Sequence, residues 1–257
     1  MPKRRFFRLC AAAAIVLAFA DCSKAGPSRA EFVLGTVCSV TLFDQAKASV
    51  YSDIFERLRE IEGRMSVNLP DSDVSRINAA AGKAPVQVHD DVFKVVERAV
   101  YFAGISGGAF DPTVGPLVSL WGIGGDNARL PSQAEIDAVL PLIDWRDIEL
   151  DRQQSSVFLS RPGMALDLGG IAKGYAADEA AAIVRKARLK RAIIDLGGNI
   201  LTYGEKQDKS PWRVGIQNPL DDRGAYIGIV QGSQQTVVTS GVYERFFETD
   251  EIGRAHV

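Results

Sequence analysis

Three glycine-rich stretches of this 257-residue chain combine an acid with backbone that can approach a ligand closely. They are SGGAFDPTVGPLVSLWGIG at 106–124, ALDLGGIAKGYAAD at 165–178 and AIIDLGGNI at 192–200. In the second stretch a predicted strand ends after Asp167, and Gly169-Gly170 leads directly into a predicted helix. A helix N-terminus offers free N–H groups and the positive end of the helix dipole. This pattern therefore predicts a site for a phosphate-bearing ligand.

Each of these features also has a purely structural explanation. Double glycines after strands make tight turns, Asp167 and Asp195 can act as caps, and Lys173 can be a solvated helix lysine. None of the stretches matches G-x-G-x-x-G or G-x-x-x-x-G-K-[ST], so neither a Rossmann fingerprint nor a P-loop is indicated. The two histidines, His89 and His256, lie far apart in the sequence. The sequence therefore indicates no Ser/His/Asp or Cys/His catalytic site.

The composition of the chain is that of an ordinary globular protein. Hydrophobic residues make up 46% and charged residues 24%, which excludes a disordered or collagen-like chain. Lys+Arg 30 against Asp+Glu 32 gives a formal net charge of −2, whereas a nucleic-acid binder needs a basic surface. No apolar run reaches the roughly 18–20 residues that a membrane-spanning helix requires. We therefore expect no nucleic-acid partner and no membrane contact other than a lipid anchor.

The first twenty residues have the pattern of an export signal. Basic residues within 3–8 precede an apolar stretch at 9–20, and Arg4-Arg5 resembles a twin-arginine signal. Ala18-Phe19-Ala20 fits a cleavage site, whereas Cys22 would be the lipid-bearing first residue of a lipoprotein. We expect residues 1–20 to be an export signal. The protein is then periplasmic, either free or anchored to the inner membrane through Cys22.

Apolar spacing predicts an α+β fold with a mixed or largely antiparallel sheet flanked by helices. Residues 31–43 alternate as one strand, with Phe32 and Leu34 on the same face as Cys38, and Asp44 is predicted to cap the next helix. Helices are predicted at 45–65, 91–104, 170–190 and after Pro131-Ser132, where Glu135 completes a capping box; a short helical turn follows 70–72. Strands are predicted at 147–150, 155–160, 164–168, 192–196, 213–217, 225–231 and 236–240.

Six ordered motifs resemble those of the ApbE family. They are LGT (34–36), MSVNLPDSDVSRIN (65–78), AFDPTVGPL (109–117), ALDLGGIAKGYAAD (165–178), IDLGGNI (194–200) and TSGVYERFF (239–247). The resemblance extends from about Leu34 to about Glu248, so we expect one ApbE-like domain at 30–250. It implies a T-fold-related sheet in two lobes, with a ligand cleft between the lobes.

The resemblance implies an enzyme, an FAD:protein FMN transferase. Members of the family split the diphosphate of FAD with a divalent metal, usually Mg²⁺, and release AMP. They attach FMN to a Thr or Ser of an acceptor protein, such as a subunit of an electron-transfer or ion-pumping complex. Two alternatives stay open: an FAD pyrophosphatase that yields FMN and AMP, and a non-catalytic flavin-binding lipoprotein.

The resemblance also assigns roles to individual positions of this chain. Leu34 stands where Met is common, Asn68 stands where many members have Tyr, and 239–241 are expected near the ligand. Gly170 is expected to hold the metal through its carbonyl oxygen, which suits a hard cation. The positions expected to bind FAD are Leu34, Ala109, Phe110, Asp111, Asp167 and Lys173.

The last part of the sequence departs from the family pattern. In the family, the Y-E-R-F-F strand precedes a His-containing stretch and a D-P-x-T-G segment, which supply metal ligands and the acid that activates the incoming hydroxyl. Residues 251–257 read EIGRAHV, which a common sequencing-library adapter encodes in frame. We therefore expect residues 251–257 to be non-native and the domain to be incomplete, and the catalytic acid is not assigned to a residue of this chain.

Overall fold

The computed structural model describes residues 27–122, 125, 128–221 and 224–240, together with the backbone of 246–249 and 253–256. The predicted export signal at 1–20 and Cys22 lie outside the described residues, as does Gly241. Within the described ranges, no helix has the length and apolar character needed to cross a membrane.

Helices and strands are mixed up to α6, and strands alone follow it in the described residues. The helices are α1 Ala48–Met65, α2 Asp73–Ala79, α3 Asp90–Ile105, α4 Gly115–Trp121, α5 Gln133–Val139 and α6 Gly169–Lys186, with 3-10 turns at Leu140–Leu142 and Trp145–Asp147. The strands are β1 Ser28–Val33, β2 Thr36–Leu42, β3 Val86–Gln87, β4 Ile148–Asp151, β5 Ser156–Leu159, β6 Ala192–Leu196, β7 Asn199–Tyr203, β8 Trp212–Gln217, β9 Tyr226–Gly232, β10 Thr236–Val238, β11 Phe246–Thr249 and β12 Gly253–His256.

The main sheet has five antiparallel strands in the order β1-β2-β6-β7-β10. A three-stranded sheet, β3-β5-β4, and the hairpins β8–β9 and β11–β12 are also antiparallel. Helices α1 and α6 pack against each other and against the main sheet. The α+β prediction is therefore confirmed, whereas the division into two lobes stays a prediction.

The core lies between the main sheet and helices α1 and α6. The predicted apolar face of α1 is buried at all five of its positions, because a spacing of three and four residues keeps them on one side of the helix. Cys38 is fully buried, as expected of a small apolar side chain. The buried α1 positions are Val50, Ile54, Leu58, Ile61 and Met65.

The single strand predicted at 31–43 is wrong, because the chain turns back in the middle of it. Val33 pairs with Thr36, and the two residues between them have positive φ angles, +57° at Leu34 and +66° at Gly35. Two consecutive left-handed residues make the tight turn that suits the twist of a hairpin. The turn changes which side chains face the core, so Phe32 is 75% exposed rather than buried.

Three other features differ from the prediction. Asp44 does not cap α1, which begins at Ala48. The Asp44 carboxylate instead accepts hydrogen bonds from the backbone of Lys190 and Arg191 and pairs with the Arg191 guanidinium at 2.6 Å. Residues 164–168 form no strand, only an isolated bridge between Ala165 and residue 114. Helix α6 ends at 186 instead of 190. The capping box of Ser132 and Glu135 at the start of α5 is confirmed.

Candidate functional site

The AFD motif forms a tight turn after α3 that uses the carboxylate of Asp111 internally. One Asp111 oxygen accepts hydrogen bonds from the Thr113 backbone N–H at 2.8 Å and hydroxyl at 2.6 Å. The other accepts one from the Trp145 backbone N–H at 3.1 Å. One oxygen therefore stabilises the turn and the other joins it to the 3-10 turn at Trp145–Asp147, so both oxygens of Asp111 already have protein partners.

The DLGG motif joins this turn at the start of α6. The Asp167 backbone N–H donates to the Pro112 carbonyl at 2.9 Å, and the Asp167 Oδ1 accepts from the Gly169 N–H at 2.7 Å. Asp167 stands one residue before Leu168, the N-cap of α6, so this second bond closes the turn that leads into the helix and is not an N-cap bond. No described residue donates to Oδ2 of Asp167, so one oxygen of the half-buried carboxylate is available to a ligand.

Asn78, from the motif at 65–78, holds the same segment from the other side. Its amide donates to the Leu166 carbonyl at 3.0 Å and accepts from the Leu166 N–H at 2.7 Å. The amide thereby replaces the neighbouring strand that residues 164–168 lack. Asn78 thus helps to position Asp167, the next residue after Leu166.

A cavity of about 470 Å³ lies between the AFD turn and the first turn of α6. A Cβ atom on Gly170 would lie 3.0 Å from Cε2 of Phe110, so the absence of a side chain at 170 lets the ring sit against the helix start. A largely apolar slot of this kind suits a planar ring system. The lining residues are Phe102, Ile105, Ser106, Phe110, Gly170 and Ile171.

Two further turns meet at one end of the main sheet. Leu34-Gly35 joins β1 to β2, and Gly197-Gly198, with φ angles of +68° and +87°, joins the neighbouring β6 to β7. Thr36 packs directly against Gly197, where a side chain would collide with it. The Thr239 N–H donates to the Gly198 carbonyl at 3.0 Å. The motifs at 34–36, 194–200 and 239–240 are therefore neighbours in space.

Electrostatic contacts place Lys173 near the same end of the sheet. Burial raises the pKa of the Cys38 thiol to about 11, while Lys173 lowers it and Asp195 and Glu62 raise it. These three charges are thus close enough to Cys38 to act on its thiol. Since Lys173 lies on the first turns of α6, a half-buried cation accompanies the helix start that carries Gly170.

The structure brings most of the predicted ligand-binding positions together. Phe110 and Gly170 line one opening, and Asp167 lies in the turn that leads into the same helix start. Lys173, on the first turns of α6, lies close enough to Cys38 of β2 to act on its thiol. Sequence reasoning missed Phe102 and Ile105 on α3. The sequence signal that could have found them is the position of two large apolar residues off the buried face of an amphipathic helix. In the structure they are 37% and 64% exposed.

The described residues alone do not complete a metal site. Among them, no three His, Cys, Asp or Glu side chains form a cluster that could hold an ion. The Gly170 carbonyl and the Asp167 carboxylate are hard oxygen donors near the opening, but Mg²⁺ and Ca²⁺ take about six oxygen ligands. The predicted role of Gly170 in binding a metal therefore stays a prediction, and we derive no reaction step through a metal.

Gly115 is required where the AFD and DLGG segments touch. Its N–H donates to the Ala165 carbonyl at 3.2 Å, and a Cβ would lie 2.6 Å from that oxygen. Because the obstacle is backbone, we expect Gly115→Ala to lower the free energy of unfolding by about 2–3 kcal/mol in urea titrations. Gly63→Ala is the control, since a Cβ there meets no atom within 4 Å. Equal stability of the two variants would contradict this contact.

Asp73, in the motif at 65–78, is a structural acid. Burial alone would raise the pKa of its carboxyl, but hydrogen bonds from the His89 backbone and ring and from Arg76 outweigh burial and lower it. A lowered folded-state pKa stabilises the fold above the unfolded-state value, and this stability is lost as the pH falls through the folded-state value. We expect Asp73→Asn to flatten the pH dependence of the free energy of unfolding below about pH 4.

Urea titrations over a pH series measure this effect, with the exposed neighbour Asp71→Asn as the control. If wild type and Asp73→Asn lose stability in parallel on acidification, Asp73 does not have this role.

Fold and site together define a class of protein, an α+β domain in which glycine-rich turns and a helix N-terminus surround an opening. A model of the ApbE family matches residues 34–257, and the chain therefore belongs to the ApbE family. The resemblance carried by the six sequence motifs is thus confirmed.

Curated relatives are named as flavin transferases. The chain is 38% identical over 247 residues to the FAD:protein FMN transferase of Treponema pallidum, covering 90% of this chain and 68% of the relative. It is 39% identical over 218 residues to one from Klebsiella pneumoniae, covering 85% and 67%. The chain thus spans about two thirds of the length of these relatives.

Solved structures agree with this assignment. The ApbE protein of Thermotoga maritima superimposes with a TM-score of 0.82 at 32% identity, covering 90% of this chain and 75% of that one. The flavin transferase ApbE from Vibrio cholerae does so with a TM-score of 0.75 at 28% identity, covering 84% and 72%.

Proposed function

We propose that this chain transfers the FMN half of FAD to a Thr or Ser hydroxyl of an acceptor protein, with Mg²⁺ or another divalent cation, and releases AMP. The observation that carries the proposal is the contact of Phe110 with Gly170 at the first turn of α6. It joins an aromatic slot, which suits a flavin or adenine ring, to a helix start, which suits a phosphate. The names of the relatives in the family support the same reaction.

The reaction forms one phosphoester bond and breaks one phosphoanhydride bond. The acceptor hydroxyl oxygen bonds to the phosphorus of the FMN half, the bond from that phosphorus to the bridging oxygen breaks, and AMP leaves with the bridging oxygen. The hydroxyl proton passes to a base. Such reactions are catalysed mainly by positioning and by charge neutralisation. Lys173 and the N-terminus of α6 supply positive charge beside the opening, and the free oxygen of Asp167 orients the ligand.

The proposal includes export and a partner in the cell envelope. The pattern at 1–20 supports transfer across the inner membrane, and Cys22 supplies a site for a lipid anchor. An acceptor in the envelope, such as a subunit of an electron-transfer complex, would then meet the enzyme there.

Product analysis tests the reaction. The full chain is incubated with FAD, MgCl₂ and an extract of envelope proteins, and AMP is measured by chromatography while covalent flavin is detected by fluorescence in denaturing gels. We expect AMP together with a fluorescent acceptor band, and loss of both with EDTA. AMP with free FMN and no band would instead indicate a pyrophosphatase. FAD binding without AMP would indicate a flavin-binding protein.

A further inference from the structure

A second cavity, of about 1020 Å³, lies at the opposite end of the main sheet from the turns at 34–35 and 197–198. At this end Leu42 pairs with Ala192, which pairs in turn with Tyr203. The cavity walls come from the end of α6, the loop after β7 and the loop before β10. The charged lining residues are Arg188, Lys190, Arg191, Lys206, Lys209, Asp44 and Glu205.

Most of the positive charge in this cavity is unpaired. Asp44 is occupied by Arg191, whose guanidinium and backbone N–H both bind its carboxylate. Across the described ranges, no ion pair within 4.0 Å joins the other four cations to a carboxylate, although Lys206 interacts electrostatically with Asp208 of the same loop. Glu205 is the remaining acid in the lining. Five cations and two acids leave the lining with a net charge of +3, although the whole chain has −2. We call Arg188, Lys190, Lys206 and Lys209 the basic depression.

The backbone around the basic depression is held in unusual conformations. Arg188, Lys209 and Gln234 have φ angles of +58°, +62° and +52°, and all three line the cavity. They are three of the five non-glycine residues with positive φ in the described part of the chain. Arg188 ends α6, because its N–H and that of Leu189 donate to the carbonyls of residues 185 and 184 in a helix-terminating turn where a positive φ is usual. Helix termination does not account for the positive φ at Lys209 and Gln234, and strained positions of this kind concentrate at binding sites.

The chain enters the fold at this same end. Strand β1 begins at Ser28, which pairs with Thr41 next to Leu42. Residues 1–27 precede it, and the six-residue step from Cys22 to Ser28 can reach at most about 20 Å. An anchor at Cys22 would therefore hold this end of the sheet close to a bilayer. The turns of the candidate flavin site lie at the other end of the same strands.

We infer that the basic depression binds the phosphate groups of anionic phospholipids and seats this end of the sheet on the membrane surface. A basic patch beside a lipid anchor adds electrostatic attraction to anionic lipids. Each Lys or Arg near an anionic surface adds to the attraction. This inference rests on the proposed export and anchoring, and it is independent of the flavin reaction.

Vesicle binding by the full chain tests the inference. A variant carrying Lys190→Gln, Lys206→Gln and Lys209→Gln is compared with wild type by sedimentation with phosphatidylcholine vesicles that do or do not contain phosphatidylglycerol. The N-terminal apolar segment contributes equally to both proteins. We expect the variant to lose about tenfold or more of its partition onto the anionic vesicles, with no change on phosphatidylcholine alone.

The matched control carries Lys83→Gln, Lys94→Gln and Arg152→Gln, which change the net charge equally but do not line the depression. AMP release from FAD should be the same in all three proteins, so a failed flavin reaction is recognised separately. Equal vesicle binding of wild type and the depression variant, or an equal loss in the control, would overturn the inference. Binding of inorganic pyrophosphate is measured by calorimetry for the same proteins. If the depression variant loses pyrophosphate binding but keeps vesicle binding, the inference is overturned and the ligand is a soluble anion.

Discussion

Replacing Gly170 with leucine is expected to lower kcat/KM for AMP release from FAD by at least about 100-fold, which corresponds to about 3 kcal/mol. The reason is space, because a Cβ at 170 already lies 3.0 Å from the Phe110 ring. The rest of a leucine side chain must displace that ring or fill the 470 Å³ cavity. Leucine is a better helix former than glycine, so helix propensity does not account for a loss of activity.

Gly174→Leu is the matched control for this prediction. Gly174 lies one turn further along α6 and is exposed, and a Cβ atom there would meet no other atom within 4 Å. The same gain in helix propensity applies at both positions, but only Gly170→Leu blocks the opening. Steady-state AMP release and thermal melting of both variants separate the two effects. If Gly170→Leu and Gly174→Leu release AMP at the same rate, the flavin does not occupy this cavity.

Changing Asp167 to asparagine is expected to weaken FAD binding by about tenfold or more while leaving stability nearly unchanged. Asparagine keeps an oxygen that can accept the hydrogen bond from Gly169, so the turn before α6 survives. What is lost is the negative charge at the second oxygen, and hydrogen bonds to charged groups contribute about 1.5–3 kcal/mol. Asp167→Ala should show the same loss of affinity and, in addition, about 1 kcal/mol less stability, because the hydrogen bond to Gly169 is removed.

Fluorescence titration with FAD and urea denaturation measure the two properties of each variant. Asp151→Asn is the control, since Asp151 makes the same kind of bond to the Gln153 N–H at 2.8 Å in an exposed turn between β4 and β5. If Asp167→Asn binds FAD with wild-type affinity and Asp167→Ala is less stable, Asp167 has only a structural role in the turn before α6.

The same acid therefore illustrates a limit of sequence reasoning. The motif identifies Asp167 as a candidate, but capping and ligand binding are both compatible with an acid before Gly169. The structure assigns one oxygen to the turn before α6 and leaves the other available. For Asp111 the outcome differs, because one oxygen is used inside the turn and the other binds the backbone of Trp145.

What the sequence by itself determined is local. The buried faces of α1 and α3, the capping box at Ser132 and the antiparallel second half depend on spacings within a few consecutive residues. The order of the glycine-rich motifs determined the family, which the family model confirms.

Only the tertiary structure decided which distant residues meet. The role of Asp44 beside Arg191, the support of Leu166 by Asn78 and the close approach of Gly115 to Ala165 all join segments far apart in the chain. The basic depression likewise collects cations from separate loops. The physical reason is that periodicity records which face of an element is buried, whereas the partner of each polar atom depends on how the elements pack.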